Sequence, residues 1–238
     1  FTSYTSGTII SSSLTNSTDS MLFLFDSPVN VSVGDWAYVA DRLTVTIRNF
    51  TVENNRGRGA LLEARNIDMQ HSTFNRTSAP ALFFQPSMFW REGPGARNVT
   101  LSNNLYINCN EGISQHKGII TFLPDPVQTN PVIEDIRIES STFYFGNFSQ
   151  GLIQGNNVNN VLLTGNYIAT NSSQPLITIC NSRNMTASNN TVIDTQSKIQ
   201  EYYVFDETSP CQMNLSSLID LPPSAFNSSF APPVNIFQ

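Results

Sequence analysis

The sequence is poor in charged residues, and lysine is almost missing from it. Only 13% of the 238 residues are Asp, Glu, Lys or Arg, which is about half of the usual share. Lysine occurs at Lys117 and Lys198 alone, and the formal net charge is −6. These values argue against partners that need a basic surface, such as nucleic acid or an anionic membrane. A neutral or sugar-like partner fits better.

Long apolar runs and a leader are also missing. No stretch approaches the roughly 20 apolar residues of a membrane span. The opening Phe-Thr-Ser-Tyr-Thr lacks the basic and apolar parts of a signal peptide, which predicts that the chain begins after processing. Eleven Asn-x-Ser/Thr acceptor sequences predict a secreted glycoprotein in which some acceptors face inward and stay empty. The acceptors are Asn16, Asn30, Asn49, Asn75, Asn98, Asn147, Asn171, Asn184, Asn189, Asn214 and Asn227.

Cysteine and histidine are scarce. Three cysteines leave an odd one in an oxidising compartment. We predict a Cys180–Cys211 disulfide that fastens an irregular tail, and a buried free thiol at Cys109, for which a bridge to a missing segment is the alternative. Two histidines without ligand-like spacing, and no phosphate loop or nucleophile elbow, predict no metal and no cofactor.

A short repeat is the strongest internal signal. It reads Asn/Asp, apolar, any, apolar, any, any, Asn/Ser, any, apolar or aromatic, as in Asn66 to Phe74 and Asn98 to Tyr106. Successive starts at 49, 66, 98, 135, 160 and 184 are 17, 32, 37, 25 and 24 residues apart. Period-2 apolar positions followed by a polar turn indicate stacked strands, and the recurrent Asn or Ser suits a left-handed turn that bonds neighbouring backbone.

The repeat predicts an all-β, right-handed parallel β-helix of the pectin-lyase-like type. Residues 48–194 hold its coils. Residues 1–47 contain three Thr/Ser/Phe/Val-rich runs, at 7–14, 21–25 and 36–45, and predict a small antiparallel β element. Residues 195–238 are Pro-rich and irregular, which is typical of a cap or tail.

Insertions between coils hold the candidate site residues. The first carries aromatics beside Glu92, and aromatic faces stack on sugars. The second carries Glu111, His116 and Asp125. Glycoside hydrolysis needs two carboxyl groups across the scissile bond, and Glu92, Glu111 and Asp125 are the candidates. Loop capping or ion pairing is the alternative role for each.

Asn54-Asn-Arg-Gly-Arg-Gly-Ala-Leu-Leu62 is the most distinctive run. Its Arg56 and Arg58 can project toward a ligand or pair with carboxylates of the next coil. With Trp90-Arg-Glu-Gly-Pro-Gly and Asn98-Val-Thr-Leu-Ser-Asn-Asn behind it, this run resembles the α-1,3-galactosidase family of β-helical glycoside hydrolases over residues 25–170.

The resemblance implies a secreted, fungal-type inverting exo-galactosidase without a cofactor. It places Arg56, Arg58, Trp90 and Glu92 in the galactoside pocket, and we add His116 to the substrate-binding group. Family members are longer, so the expected partners are a carbohydrate substrate and an N-terminal fragment released by proteolysis. The alternatives are a pectate-lyase-like enzyme, which needs a Ca²⁺ cluster, and a non-catalytic carbohydrate-binding or cell-wall β-helix, which Pro86 favours where the family often has Asp.

Overall fold

The structure is a computed structural model that describes residues 7–14, 21–32, 44–87, 95–112, 116–124 and 131–194, and the backbone of strands 203–205 and 226–228. These parts of the chain contain 21 β-strands and no helix, so none of their segments is a helix able to cross a membrane. The chain divides into two units, residues 1–39 and 40–238.

The first unit contains a two-stranded antiparallel sheet. Its strands are β1 (Ile9–Leu14) and β2 (Met21–Phe25). The Thr8 N–H donates to Asp26 Oδ1 at 3.1 Å and closes the open end of the hairpin. This bond holds the pKa of the Asp26 carboxyl below its usual range. The predicted third run, residues 36–45, lies outside the described residues except at its end.

The second unit is a parallel β-helix whose coils each add one strand to three sheets. Sheet 1 contains β3 (Val45–Arg48), β6 (Arg65–Gln70), β9 (Arg97–Ser102), β12 (Ile133–Glu139), β15 (Val158–Thr164) and β18 (Arg183–Ser188). Sheet 2 contains β4 (Thr51–Glu53), β7 (Thr73–Asn75), β10 (Leu105–Ile107), β13 (Thr142–Tyr144), β16 (Tyr167–Thr170), β19 (Asn190–Asp194) and β21 (Phe226–Ser228). Sheet 3 contains β5 (Ala60–Leu61), β8 (Leu82–Phe84), β11 (Gly118–Phe122), β14 (Gly151–Asn156), β17 (Ile177–Cys180) and β20 (Tyr203–Phe205).

We number the coils from 1, made of β3, β4 and β5, to 6, made of β18, β19 and β20. The predicted all-β fold, a parallel β-helix with a small N-terminal antiparallel sheet, is confirmed. Its boundaries differ from the prediction in two places. Strand β3 begins inside the segment assigned to the antiparallel element. Strands β20 and β21 extend sheets 3 and 2 into the segment predicted as irregular, by pairing with β17 and β19.

The coil spacing follows the repeat from coil 2 onward. Ile67 pairs with Val99, which pairs with Ile136, and these partners are 32 and 37 residues apart as predicted. The predicted first interval of 17 is wrong, because Val45 is the partner of Ile67. The pattern at 49 misled because β4 alternates apolar and polar residues as sheet 1 strands do.

The interior is filled by columns of like residues. In sheet 2, Phe74, Tyr106 and Phe143 are fully buried, and Tyr106 stacks on Phe143 with ring centroids 4.6 Å apart and on Phe74 at 5.4 Å. The inward residues of β6, β9, β12 and β15 in sheet 1 are at most 4% exposed. Each coil therefore buries its apolar residues on the same positions of its neighbours.

Left-handed backbone residues make the corners. The residue after each sheet 1 strand in coils 1 to 6 has φ between 50° and 65°, and these residues are Asn49, His71, Asn103, Ser140, Gly165 and Asn189. A second set, at the start of the repeat, consists of Asn66, Asn98, Asp135, Asn160 and Asn184. Asn and Asp tolerate this region because their short side chains bond locally. The repeat therefore uses Asn for its backbone conformation.

A buried polar ladder lies one residue after the first set of corners. Its members, Ser72, Asn104, Ser141, Asn166 and Asn190, are at most 2% exposed. Each accepts a hydrogen bond from the backbone N–H of the same position one coil earlier, for example Asn104 Oδ1 from Ser72 N at 2.9 Å and Ser141 Oγ from Asn104 N at 3.1 Å. The predicted backbone bonding of the recurrent Asn or Ser is confirmed, but its predicted left-handed conformation belongs to the preceding residue.

The described glycosylation acceptors all lie on the surface. Asn30, Asn49, Asn98, Asn147, Asn184 and Asn189 are exposed, and Asn75 and Asn171 are half-buried. The expected inward-facing acceptors are therefore not found among these eight. Asn16 and Asn214 and the side chain of Asn227 lie outside the described residues.

Cys109 is a fully buried free thiol, as predicted. Its S–H lies 3.3 Å from the Phe74 carbonyl, and burial raises the pKa of the thiol to about 11. Cys180 ends β17, and Cys211 lies outside the described residues, so the Cys180–Cys211 disulfide stays a prediction.

We expect Asn104→Ala to lower the free energy of unfolding by about 2–4 kcal/mol, because it leaves the buried Ser72 N–H and Met69 carbonyl without the Asn104 amide. Urea unfolding measures the change. The matched control is the neighbouring corner substitution Asn103→Gly, which keeps an exposed left-handed position and should change stability little. Equal losses for the two variants would contradict the structural role of the ladder.

A thiol-specific reagent at pH 8 should not react with the folded protein, because Cys109 is buried and its thiolate is scarce. Denaturation without reductant should release one thiol per chain, and reduction should release three. Three reactive thiols before reduction would contradict the predicted disulfide.

Candidate functional site

The candidate site lies on the loops that join sheet 2 to sheet 3. We call these loops the ridge, and they comprise residues 54–59, 76–81, 108–112 with 116–117, and 145–150 in coils 1 to 4. The loops stack by backbone bonds, such as Ser78 N–H to the Asn55 carbonyl at 2.9 Å and Glu111 N–H to the Thr77 carbonyl at 3.1 Å. Side chains far apart in sequence therefore stand one coil spacing apart, roughly 4.8 Å.

A cleft of about 270 Å³ opens on the ridge. Its lining is polar and comes from coils 2 and 3: Arg76, Thr77, Ser78, Asn108 and Glu111. Arg76 is exposed, and its backbone is left-handed with φ 56°. The lining supplies hydrogen-bond donors and acceptors, which suits a ligand rich in hydroxyl groups.

Glu111 is held in place by the loop of coil 4. Its Oε1 accepts hydrogen bonds from Ser149 N at 3.0 Å and from Phe148 N at 3.4 Å, and lies 2.7 Å from Ser149 Oγ. Its Oε2 has one contact, Phe148 N at 3.4 Å. One carboxylate oxygen is thus anchored, and the other keeps acceptor capacity for a ligand.

Gly146 and Ser149 fix the position of that carboxylate. A Cβ at Gly146 would overlap both oxygens of Glu111. Ser149 Oγ accepts from Gly146 N at 3.1 Å and lies 2.7 Å from both the Cys109 carbonyl and Glu111 Oε1, so its one proton serves one of these acceptors at a time. Glycine is required at 146 because the carboxylate packs against its Cα.

Phe148 is an exposed aromatic residue in the loop that anchors Glu111. The residue is 69% exposed, and its N–H contacts the Glu111 carboxylate. An exposed aromatic face beside polar groups is the usual platform for the apolar face of a sugar ring.

A second cluster joins Arg58 and His116 of the ridge to Phe83 of strand β8. The guanidinium of Arg58 lies 5.1 Å from the centroid of the Phe83 ring. The centroids of the Phe83 and His116 rings are 4.8 Å apart, and the two ring planes make an angle of 45°. Phe83 is 3% exposed although it points away from the core, as its pairing partner Thr121 does. Burial, and secondly the charge of Arg58, lower the pKa of His116.

The structure brings several predicted site residues onto one surface. Arg56, Arg58, Glu111 and His116 all belong to the ridge, and Arg56 and Arg58 make no ion pair within the described residues. Their predicted alternative as ion-pair anchors therefore gains no support there. Trp90, Glu92 and Asp125 lie outside the described residues, and their roles stay predictions.

Sequence reasoning missed Arg76, Asn108 and Phe148. Arg76 and Asn108 follow sheet 2 strands at equivalent positions, since Arg76 N donates to the Ile107 carbonyl. A signal was present, because both come two residues after the aromatic end of the repeat. Phe148 carries only the signal of an aromatic residue in a Gly-Asn-Phe-Ser turn.

No cluster of three or more His, Cys, Asp or Glu side chains that could hold a metal occurs within the described ranges. The Ca²⁺ cluster of the lyase alternative is therefore not found in them. Asp125 and Glu92 are outside these ranges, and the lyase hypothesis stays open.

The lowered pKa of His116 predicts that acid weakens the fold. The unfolded chain binds a proton near pH 6.5 while the folded chain still holds neutral His116, so stability should fall as the pH drops below about 6.5 and level off below the folded-state pKa. Urea midpoints at pH 7.5 and 5.5 should drop less for His116→Gln than for the wild type. Equal drops for the two proteins would contradict the assignment.

A scan against models of known protein families finds no match for the chain, and a search of curated proteins finds none either. The resemblance to the α-1,3-galactosidase family therefore rests on the quoted motifs alone. What that resemblance implies is treated as a proposal.

Proposed function

We propose that the protein is a secreted carbohydrate-active β-helix that binds a galactose-containing glycan on the ridge and hydrolyses an α-linked galactoside. The observation that carries this proposal is the anchored carboxylate of Glu111 in a polar cleft, with the exposed aromatic residue Phe148 in the loop that anchors it. Secretion and glycosylation are supported by the eleven acceptor sequences.

Recognition would use the polar lining and the aromatic ring together. Phe148 offers a stacking face, Arg76 donates hydrogen bonds, and Asn108 can donate and accept them. Arg56 and Arg58 from coil 1 extend the same surface. A pyranose chair has one apolar face of C–H groups and several hydroxyl groups at its edges, and it needs this combination of an aromatic platform and polar partners.

Hydrolysis would require a second carboxyl group across the glycosidic bond. An inverting enzyme separates its two carboxyl groups by roughly 6.5–9.5 Å, which leaves room for the attacking water. Glu111 would be one such group, and its Oε2, which has a single long contact from Phe148 N, keeps acceptor capacity that suits a general base. Glu92 and Asp125 are the proposed partners, one of them as general acid.

A specific observation favours the non-catalytic alternative. Glu111 is the single carboxylate that lines the cleft within the described residues, and three donors already surround its Oε1. A carboxylate that only organises a binding loop would have the same contacts. A carbohydrate-binding β-helix is therefore the second candidate function.

The proposed N-terminal fragment would dock on coil 1. Val45, Ile47 and Val52 point inward there but are half-buried, unlike their fully buried equivalents in the middle coils. A further coil would cover them and pair with β3, β4 and β5, which are the end strands of the three sheets as far as the structure describes them. The N-terminal fragment is thus a proposal that rests, like the galactosidase activity, on the family resemblance.

Comparison of the Glu111→Gln variant with the wild-type protein tests the proposed activity. On an aryl α-galactoside and on α-1,3-linked galactosides the substitution should lower kcat by roughly 10²–10⁴-fold and leave glycan binding nearly unchanged, because the amide keeps the shape but cannot act as a base. Calorimetry on the same oligosaccharide measures the binding. Binding without turnover by the wild type would establish the second candidate, and neither binding nor turnover would contradict both.

Gly146→Ala should displace the Glu111 carboxylate and lower activity or affinity by about tenfold or more, since a 1 Å displacement at a reacting group is costly. The control is Gly57→Ala on the same ridge, where an added Cβ meets nothing within 4 Å. A normal site in Gly146→Ala would show that Glu111 does not act there.

A further inference from the structure

Basic side chains gather on the ridge of a protein that is acidic as a whole. The net charge is −6, and Lys and Arg together number 12. Four of these basic residues, Arg56, Arg58, Arg76 and Lys117, lie on the ridge and are exposed. The described carboxylates on or next to it are Glu111 and the terminal residue of β4, Glu53.

The arginines of the ridge form no ion pair with a described carboxylate. This holds for Arg56, Arg58 and Arg76, and the guanidinium group of Arg58 lies over the face of Phe83. On sheet 1, by contrast, Arg48 is paired with Asp68 at 2.6 Å and Arg97 contacts a carboxylate at 3.3 Å.

Stacking of the loops keeps these charges together. The 54–59 loop lies on the 76–80 loop through Ser78 N to the Asn55 carbonyl and Gly59 N to the Pro80 carbonyl. Asn55 also closes its own loop, since its Nδ2 donates to the Arg58 carbonyl at 2.7 Å. The hydrogen-bonded backbone thus holds the guanidinium groups on one surface despite their electrostatic repulsion. A bound anion would reduce that repulsion.

Glu111 does not neutralise this surface. Its Oε1 faces the N–H groups of Phe148 and Ser149, which turn the carboxylate toward coil 4. Among the described residues, the guanidinium groups of coils 1 and 2 are therefore not paired with a carboxylate.

We propose that the ridge binds an anionic substituent of the glycan, a carboxylate or a sulfate, through Arg76 and the coil 1 arginines. The substrate class is then an acidic galactose-containing glycan, and this inference rests on the proposed function. Guanidinium groups suit both anions, because their fork of N–H donors bonds two oxygens at once. The glycan itself would lie in the cleft, and its charged group would reach across to coil 1.

Calorimetry on three oligosaccharides of equal length tests the inference: a neutral galacto-oligosaccharide, one bearing a galacturonate and one bearing a sulfate. At least one acidic probe should bind about tenfold or more tightly than the neutral one, and the preferred probe identifies the anion. Raising NaCl from 50 to 500 mM, an order-of-magnitude change in ionic strength, should weaken that preference.

Arg76→Gln and Arg58→Gln should each remove most of the preference, because the affinity for the acidic probe should fall by a larger factor than the affinity for the neutral one. Arg183→Gln is the matched control, because it removes the same charge from exposed sheet 1 residue Arg183. All variants are compared as one glycoform, since Asn75 precedes Arg76.

Equal binding of all three probes would overturn the inference and leave the proposed function standing. Loss of the preference in Arg183→Gln would also overturn it, because net charge and not the ridge would then set affinity. Failure of every probe to bind would contradict both the inference and the glycan site.

Discussion

The buried ladder of Ser72, Asn104, Ser141, Asn166 and Asn190 is the interaction on which the β-helix depends. At each sheet 1–sheet 2 corner the chain turns through a left-handed residue, and the next backbone N–H faces the interior without a strand partner. The side chain of the following coil accepts it, as Asn190 Oδ1 accepts Asn166 N at 3.0 Å. An unpaired buried N–H costs about 1–3 kcal/mol, so each coil stabilises the turn of the coil before it. The ladder ends at Phe50, whose N–H reaches Ser72 Oγ at 3.3 Å and whose own side chain accepts nothing.

This dependence explains the composition. In coils 3 and 6 Asn serves twice, once for its left-handed backbone at the corner and once for its amide in the ladder, which produces the neighbouring pairs Asn103 and Asn104, and Asn189 and Asn190. Charged residues are not needed inside and would be costly there. The outer loops between sheets 2 and 3 carry no such requirement. They are therefore free to vary in length and to hold functional side chains.

The sequence predicts the fold well because, from coil 2 onward, the repeat occurs once in each coil and its spacing gives the coil length. Alternating apolar residues identify the strands, and from coil 2 onward the spacing of the starts equals the spacing of paired residues. The pattern does not show that Asn103 adopts the left-handed backbone and that Asn104 supplies the buried amide, since both residues are asparagine. Only the backbone dihedral angles distinguish them. The register of coil 1 is equally ambiguous in sequence, because β4 alternates polar and apolar residues as the strands of sheet 1 do. Local patterns fix which residues point inward, whereas coil assignment needs the hydrogen bonds between coils.

The site could be predicted only in part, for a related reason. Arg56 and Arg58 stand out as a motif, and Glu111 and His116 as ionisable groups of an insertion. Their meeting on one surface depends on contacts between residues roughly 20 to 40 positions apart, such as Ser78 N to the Asn55 carbonyl and Ser149 N to Glu111 Oε1. Arg76 is separated from Glu111 by a whole coil in sequence, yet both line one cleft. In a solenoid, equivalent residues of successive coils lie one coil spacing apart, whatever their separation in sequence. The side chains that surround a loop residue therefore come from the two adjacent coils. The basic character of the ridge arises in this way: one loop supplies Arg56 and Arg58, and stacking adds Arg76 of coil 2 and Lys117 of coil 3 to the same surface.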